Sequence, residues 1–178
     1  WGVYVDAGAG IGVTAHLTLR ASYISSNTQG GVYWIGAMAR VEETAFAYNG
    51  ATGGYGGFYS PEQTGGSNHG LILKNNGWES NYPRHVYLAD LTNARVEDNE
   101  FIRNTDQINN IEAVRIGGAV GVANSDSAKI LLSKNLIRID PVSMEVDPGY
   151  TAFYVTAKSA YVEIRDTVWN VWNVAHTR

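Results

Sequence analysis

The chain has 178 residues, of which 44% are hydrophobic and only 17% are charged, and it contains 20 glycines and no cysteine. The absence of cysteine excludes disulfides, thiolate catalysis and cysteine-bound metals. The formal net charge of -4 provides no basic field to attract nucleic acid or an anionic membrane. No apolar run approaches the ~20 residues of a membrane-spanning helix, so we expect neither nucleic acid nor membrane as a partner.

Three short strand-like patterns recur along the chain in a fixed order, and the order repeats six times. In chain order the predicted strands are residues 3–5, 15–19 and 23–24; 32–34, 39–41 and 46–47; 58–60, 69–73 and 77–78; 86–88, 94–96 and 101–102; 114–116, 128–131 and 136–137; and 153–155, 160–164 and 168–169. Each alternates apolar and polar residues, so every second side chain would point inward.

Three strands per repeat predict an all-β protein: a right-handed parallel β-helix of about six coils with three short strands per coil. A two-sheet antiparallel sandwich would also use alternation, but it does not explain why three strand types recur in fixed order. With ~4.8 Å between paired strands, six coils would form a stack roughly 25–30 Å tall. We therefore expect one domain over residues 1–178. We also expect this domain to be a segment of a longer or oligomeric protein, because its last residues are apolar and aromatic and would not form a polar cap over the end of the solenoid.

The shortest connections join second to third strands, and their bends carry residues that suit tight corners. The predicted bends are Ala21-Ser22, Glu43-Thr44, Asn75-Asn76, Asp98-Asn99, Lys134-Asn135 and Arg165-Asp166. The long connections cover residues 6–14, 60–68, 117–127 and 138–151, and a glycine-rich loop covers residues 49–57. Tyr55 lies within that loop, where it would present an aromatic ring to a ligand.

No cofactor or metal site is expected. Asp140, Glu145 and Asp147 share one loop and offer the oxygen ligands that Ca²⁺ prefers, but their spacing matches no calcium loop. A solvated acidic loop is the favoured interpretation. The four histidines are scattered along the chain without metal-ligand spacing; they are His16, His69, His85 and His176.

The stretch ARVEDNEFIRN (residues 94–104) and its echo AKILLSKNLI (residues 128–137) resemble the coil repeat of the pectate-lyase-like β-helix superfamily. That superfamily includes pectin and alginate lyases, polygalacturonases, uronan epimerases and phage tailspikes. The resemblance implies complex carbohydrate as the partner, although a fold does not by itself specify a function.

The catalytic pattern of polygalacturonases is not present. Those enzymes carry Asn-Thr-Asp, Asp-Asp, Gly-His-Gly and Arg-Ile-Lys in that order. This chain has Asn104-Thr105-Asp106, Asn68-His69-Gly70 and Arg115-Ile116-Gly117, without an Asp-Asp and with the histidine before the acid. We therefore assign no catalytic residues from the sequence.

The first strand of every coil places a residue at the same outward phase. These residues form what we call the tyrosine row: Tyr4, Tyr33, Tyr59, Tyr87, Arg115 and Tyr154. Exposed aromatic rings can stack on the apolar faces of sugars, and phenol hydroxyls can bond to sugar hydroxyls. The alternative is that the row is a stabilising ladder of like residues, or is buried against another chain.

Charged residues are predicted beside the tyrosine row in the fourth and fifth coils. Arg84 and Glu112 are expected on the same outer face as Tyr87 and Arg115, with His85 and Asp90 flanking the strand. Carboxylates with Arg or His in a cleft could perform acid–base chemistry on a glycosidic bond. The alternative is a surface salt bridge of small energetic consequence. The candidate ligand-binding residues are therefore Tyr33, Tyr59, Arg84, Tyr87, Glu112, Arg115 and Tyr154.

Three functions follow from these observations. The first is an extracellular or virion-surface β-helix, resembling part of a tailspike, that binds surface polysaccharide, with or without depolymerising it, as a homo-oligomer, for example a trimer. The second is a free-standing polysaccharide lyase or epimerase. The third is a structural fibre or shell subunit whose tyrosine row is buried between chains.

Overall fold

A computed structural model describes residues 1–7, 15–61, 70–89, 93–104, 112–117, 129–140, 151–155 and 161–171. Eighteen strands run through these residues, and each coil contributes one strand to each of three sheets. Every pairing between neighbouring coils is parallel. The predicted parallel β-helix of six coils, with three short strands per coil, is therefore confirmed. Nothing helical in the described part has the length and apolar character to cross a bilayer.

The three sheets are named A, B and C after the order of their strands within a coil. Sheet A consists of β1 (Val3–Asp6), β4 (Val32–Ile35), β7 (Phe58–Ser60), β10 (Arg84–Ala89), β13 (Glu112–Gly117) and β16 (Thr151–Val155). Sheet B consists of β2 (His16–Arg20), β5 (Met38–Glu42), β8 (Gly70–Lys74), β11 (Asn93–Glu97), β14 (Lys129–Ser133) and β17 (Tyr161–Arg165). Sheet C consists of β3 (Tyr23–Ser25), β6 (Ala45–Ala47), β9 (Gly77–Glu79), β12 (Glu100–Asn104), β15 (Leu136–Asp140) and β18 (Val168–Val171).

The core lies on the axis of the solenoid, where the inward side chains of successive coils stack on one another. Phe46, Trp78 and Phe101 stack in this way in sheet C, with ring centroids 4.1 and 6.0 Å apart. Each such aromatic pair contributes roughly 0.5–1.5 kcal/mol beyond the burial of its surface. The largest fully buried side chains are Trp34, Phe46, Phe58, Leu71, Leu73, Trp78, Leu88, Phe101, Ile116, Leu132 and Ile137.

The bends between sheets B and C all use one left-handed residue. Their positive φ angles, from 48° to 55°, fall on Ala21, Glu43, Asn75, Asp98, Lys134 and Asp166. Five of these bends begin where the sequence predicted. The sixth was predicted one residue too early, because Ser133 pairs with Arg165 and the left-handed residue is therefore Asp166.

An asparagine ladder follows these bends inside the solenoid. The Nδ2 groups of Asn76 and Asn99 donate to Oδ1 of Asn99 and Asn135 at 3.0 and 3.2 Å. The same oxygens accept the backbone N–H of the residue in the preceding coil, and Asn99 Nδ2 also donates to the Leu73 carbonyl. These side chains are buried, so the ladder satisfies polar groups of the bends that water cannot reach.

A second ladder, which the sequence interpretation missed, follows the third strands. Asn27, Asn49 and Asn81 each lie three residues after the core residue of sheet C. Asn27 Nδ2 donates to Asn49 Oδ1, and Asn49 Nδ2 donates to Asn81 Oδ1, both at 2.9 Å. This ladder fixes the bends that lead back to sheet A, where the tyrosine row lies.

Replacing Asn99 by alanine tests the first ladder. The change removes the acceptor of the Asn76 N–H groups and of the Trp78 indole N–H, and the donor to the Leu73 carbonyl. Because these groups stay buried, we expect Asn99→Ala to lower the free energy of unfolding by about 3 kcal/mol in urea titrations. Asn93→Ala, at an exposed position of β11, is the control and should change it by less than about 0.5 kcal/mol. Equal effects of the two substitutions would contradict a structural role for the ladder.

Candidate functional site

The tyrosine row runs without interruption along the outer face of sheet A. Strand pairing places Tyr4 beside Tyr33, Tyr33 beside Tyr59, and Tyr59 beside Tyr87. It continues from Tyr87 to Arg115 and from Arg115 to Tyr154. The predicted common phase of these six residues is therefore confirmed.

Two pairs of rings in the row are stacked, and the Tyr33–Tyr59 pair between them is tilted by 45° with its centroids 5.9 Å apart. The Tyr4 and Tyr33 centroids lie 4.6 Å apart with an interplanar angle of 15°, and the Tyr59 and Tyr87 centroids lie 5.2 Å apart at 17°. The guanidinium of Arg115 lies between two rings, 5.8 Å from the Tyr87 centroid and 4.9 Å from that of Tyr154. This is the geometry of a cation–π contact on both sides of the arginine.

Stacking changes what the row offers to a ligand. We expected sugar rings to pack on the tyrosine faces, but the inner faces of the row are covered by neighbouring rings. The broadest exposed surfaces are at its two ends, where Tyr4 is 57% exposed and Tyr154 is 41% exposed. Because a stacked ring presents its edge to solvent, the middle of the row can be contacted through ring edges and phenol hydroxyls rather than through ring faces.

Two aromatic side chains from outside the row join it. Trp1 stacks on Tyr55 and Tyr59 at 5.4 and 6.1 Å and meets Tyr33 edge to face at 5.2 Å. Tyr55, from the glycine-rich loop, lies 4.4 Å from the Tyr59 centroid. The sequence singled out Tyr55 as an aromatic in a loop, but neither residue's packing on the row followed from strand phase, since neither lies on a strand.

An ion-pair cluster adjoins the row between β10 and β13. Arg84 Nε donates to Glu112 Oε2 at 2.9 Å, and Arg115 donates to Glu112 Oε1 at 3.4 Å. Arg84 also lies over the Tyr87 ring, 5.4 Å from its centroid. The structure therefore brings together the predicted candidates Arg84, Glu112, Tyr87 and Arg115.

The burial of this cluster corrects the sequence interpretation. The side chains of Arg84 and Glu112 are only 16% and 7% exposed, so the pair is not a surface salt bridge. Removing one partner of a pair this well covered would leave an uncompensated charge. Both Glu112 oxygens are held by guanidinium groups, which suits positioning of the two arginines better than acid–base chemistry.

His85 does not line a charged cleft as predicted. It is fully buried, lies 5.8 Å from the Phe101 ring, and its Nδ1 is 3.2 Å from Asn81 Nδ2. Because Asn81 Nδ2 is a donor, Nδ1 of His85 accepts this hydrogen bond. The regular alternation of β10 fails here, since His85 and Val86 are both buried, and His85 extends the second asparagine ladder instead.

The remaining candidates lie outside the described residues. Asp90, Glu145 and Asp147 are in undescribed segments, and only the backbone of Asp140 is described, at the end of β15. Among the described residues, no three histidine or acidic side chains come close enough together to hold a metal ion.

Hydrogen bonding and burial raise the pKa values of three tyrosine hydroxyls in the row. The Tyr4 hydroxyl donates to Asp6 Oδ2 at 3.1 Å, and this bond raises the pKa of Tyr4. Burial is the main cause that raises the pKa of Tyr33. Burial, followed by the neighbouring Tyr87, Tyr55 and Tyr33, raises the pKa of Tyr59 to about 12. These hydroxyls are therefore protonated hydrogen-bond donors at neutral pH.

The geometry defines a class of protein: a parallel β-solenoid that displays an aligned row of aromatic and arginine side chains on one sheet. Residues 1–168 match the model of the right-handed β-helix family, described as the right handed beta helix region. The match covers nearly the whole chain, and the protein belongs to this family. Comparisons with curated proteins and with solved structures find no match.

Tyr59 gives a prediction for alkaline pH. An ordinary tyrosine ionises near pH 10, whereas the folded chain holds the Tyr59 proton until about pH 12. Between these values the folded state binds more protons than the unfolded state, so the free energy of unfolding falls as the pH rises. The contribution of Tyr59 to this loss should be on the order of 1 kcal/mol, allowing for solvent screening of a partly exposed group.

Urea titrations of the wild type and Tyr59→Phe, near pH 9 and about pH 11.5, measure this contribution. The variant keeps the stacked ring but has no hydroxyl to ionise, so its stability should fall less than that of the wild type. The same loss in both proteins would show that Tyr59 does not hold its proton as described.

Proposed function

We propose that this chain binds polysaccharide along the tyrosine row, at an extracellular or virion surface and within an oligomeric assembly. The observation that carries the proposal is the alignment of hydrogen-bonding groups on sheet A. Phenol hydroxyls and the Arg115 guanidinium repeat once per coil, at the strand spacing of ~4.8 Å. A polymer with hydroxyl groups on every unit is the class of ligand that can bond to such a repeating row.

The charges of the site support a ligand rich in acceptors. Arg115 is about one-third exposed, and Glu112 accepts one of its N–H groups at the long distance of 3.4 Å. A guanidinium carries five N–H donors, so Arg115 retains capacity for ligand oxygens. Its two ring neighbours, Tyr87 and Tyr154, restrict the plane in which those donors point. The resemblance to the pectate-lyase-like superfamily adds an independent reason to choose carbohydrate.

A binding role is favoured here over a lyase or epimerase. The carboxylate of the ion-pair cluster, Glu112, is enclosed by Arg84 and Arg115 and has no oxygen directed at a ligand without first breaking an ion pair. General acid–base catalysis needs a group within hydrogen-bond reach of the proton that it moves. Glu112 does not meet this requirement while both of its ion pairs are intact, and the Asp6 carboxylate accepts a hydrogen bond from the Tyr4 hydroxyl.

A structural subunit is the second candidate, and two observations favour it. The ring faces of the row are used within the protein itself, as in a ladder that only stabilises neighbouring strands. The sixth coil also exposes Val155 and Ile164, which are 42% and 49% exposed although their partners in the fifth coil, Ile116 and Leu132, are buried. An exposed apolar surface of this kind is suited to contact with another chain.

A glycan-array screen of the purified chain, with light scattering on the same sample, separates the two candidates. Specific binding to a polysaccharide supports the first function. The absence of binding together with a stable assembly would support the structural subunit and make the tyrosine row an interface.

Matched arginine variants then locate the binding surface. Arg115→Ala should weaken the Kd for the bound glycan by roughly tenfold or more, because it removes hydrogen bonds from a charged donor. Arg95→Ala is the control, since Arg95 is an exposed arginine on sheet B and forms an ion pair within its own strand. Urea titration confirms that both variants remain folded. Unchanged affinity in Arg115→Ala would place the binding site elsewhere.

A further inference from the structure

The loop of residues 49–57 delivers Tyr55 to the tyrosine row in a way that no strand does. The two ends of the loop, at Gly50 and Gly56, pack closely against the backbone of the next coil. Gly50 and Gly56 have φ angles of 88° and 93°, and a Cβ at either position would collide with the carbonyl oxygen of Tyr82 or Arg84. Only glycine satisfies both requirements. The ends of the loop are therefore fixed, and any movement belongs to the tip between them.

The tip of the loop, residues 51–55, is held to the solenoid by few backbone hydrogen bonds. Within the described residues, its backbone hydrogen bonds run from Gly54 N–H to the Ala51 carbonyl and from Tyr55 N–H to the Gln29 carbonyl. The first is internal to the loop, so the second is the one that ties the tip to the solenoid. The Tyr55 side chain remains 40% exposed although it contacts two rings. Few buried contacts and an exposed hydrogen bond are the features of a segment that opens locally.

The position of Tyr55 matters because of what it covers. Tyr59 lies in the middle of the row, and its ring is contacted by Tyr33, Tyr87, Trp1 and Tyr55. Tyr33 and Tyr87 are fixed by strand pairing. The contact with Tyr55, at 4.4 Å, can be withdrawn without breaking any strand pair. If it is withdrawn, Tyr59 gains an exposed aromatic surface in the centre of the row.

We propose that Tyr55 is a built-in competitor of the ligand: it occupies the exposed side of Tyr59, and a sugar ring takes its place when the loop tip opens. This inference rests on the proposed polysaccharide binding and adds a residue that limits it. A protein whose binding-competent state is only partly populated binds with an affinity reduced by that fraction. The aromatic contact between Tyr55 and Tyr59 is strong enough to reduce the affinity for the ligand roughly two- to tenfold.

Binding of two soluble probes, cellohexaose and a galacturonate hexasaccharide, tests the proposal by calorimetry. Tyr55→Ala should bind the better of the two probes roughly two- to tenfold more tightly than the wild type. Tyr55→Phe keeps the covering ring and should bind like the wild type. Tyr23→Ala, which removes an exposed tyrosine from sheet C, should also leave the affinity unchanged.

Each outcome has a distinct meaning. Equal affinity in the wild type and Tyr55→Ala, or weaker binding in the variant, overturns the competition while leaving polysaccharide binding in place. Failure of both probes to bind any of the proteins overturns the proposed function and this inference together.

Hydrogen exchange tests the opening without any ligand. The Tyr55 amide should exchange on the order of a hundredfold faster than the amides of the paired strands β4 and β10, because its hydrogen bond to Gln29 opens locally. Exchange as slow as that of the strands would show that the tip does not open, and would overturn the proposal independently of any sugar.

Discussion

In-register parallel pairing is the constraint on which the rest of this structure depends. Each coil must place the same side-chain phase at the same point as the coil before it, so like residues meet along the axis on both sides of each sheet. Inside, this brings Asn76, Asn99 and Asn135 into one hydrogen-bonded ladder. Outside, the same rule brings the tyrosines of sheet A into one row. The asparagine ladder and the tyrosine row are consequences of a single geometry, although the ladder satisfies buried backbone groups and the row faces solvent.

The stack determines which parts of the tyrosines are available. A ring that packs on its neighbours above and below contributes to stability through its faces and presents its edge and hydroxyl outward. Stability and recognition therefore use different atoms of the same side chains. This separation makes a phenylalanine substitution informative in the row, because it preserves the stack and removes only the hydroxyl, whereas alanine removes both.

The sequence predicted the parts of the structure that repeat. The strand order, five of the six bends and the phase of the tyrosine row all follow from alternation and from left-handed-tolerant residues at fixed intervals. It did not predict features that depart from strict alternation or that involve residues outside the strands. His85 breaks the alternation of β10, and Ala113 breaks that of β13. The covering of Arg84 and Glu112 and the packing of Trp1 and Tyr55 on the row do not follow from alternation either. The ladder of Asn27, Asn49 and Asn81 was predictable, because its members share a constant offset from the core residue of sheet C.

The charge of the row is uneven along the solenoid axis. Asp6 accepts the Tyr4 hydroxyl at the first coil, whereas Arg84 and Arg115 share the single carboxylate of Glu112 at the fourth and fifth. Two guanidiniums and one carboxylate leave a local positive charge on a chain whose net charge is -4. Because that charge is partly enclosed by aromatic rings, solvent screens it less than it screens the exposed ion pairs of sheet B. A ligand lying along the row would therefore meet the Asp6 carboxylate at the first coil and the two guanidiniums at the fourth and fifth, so the two directions along the row are not equivalent.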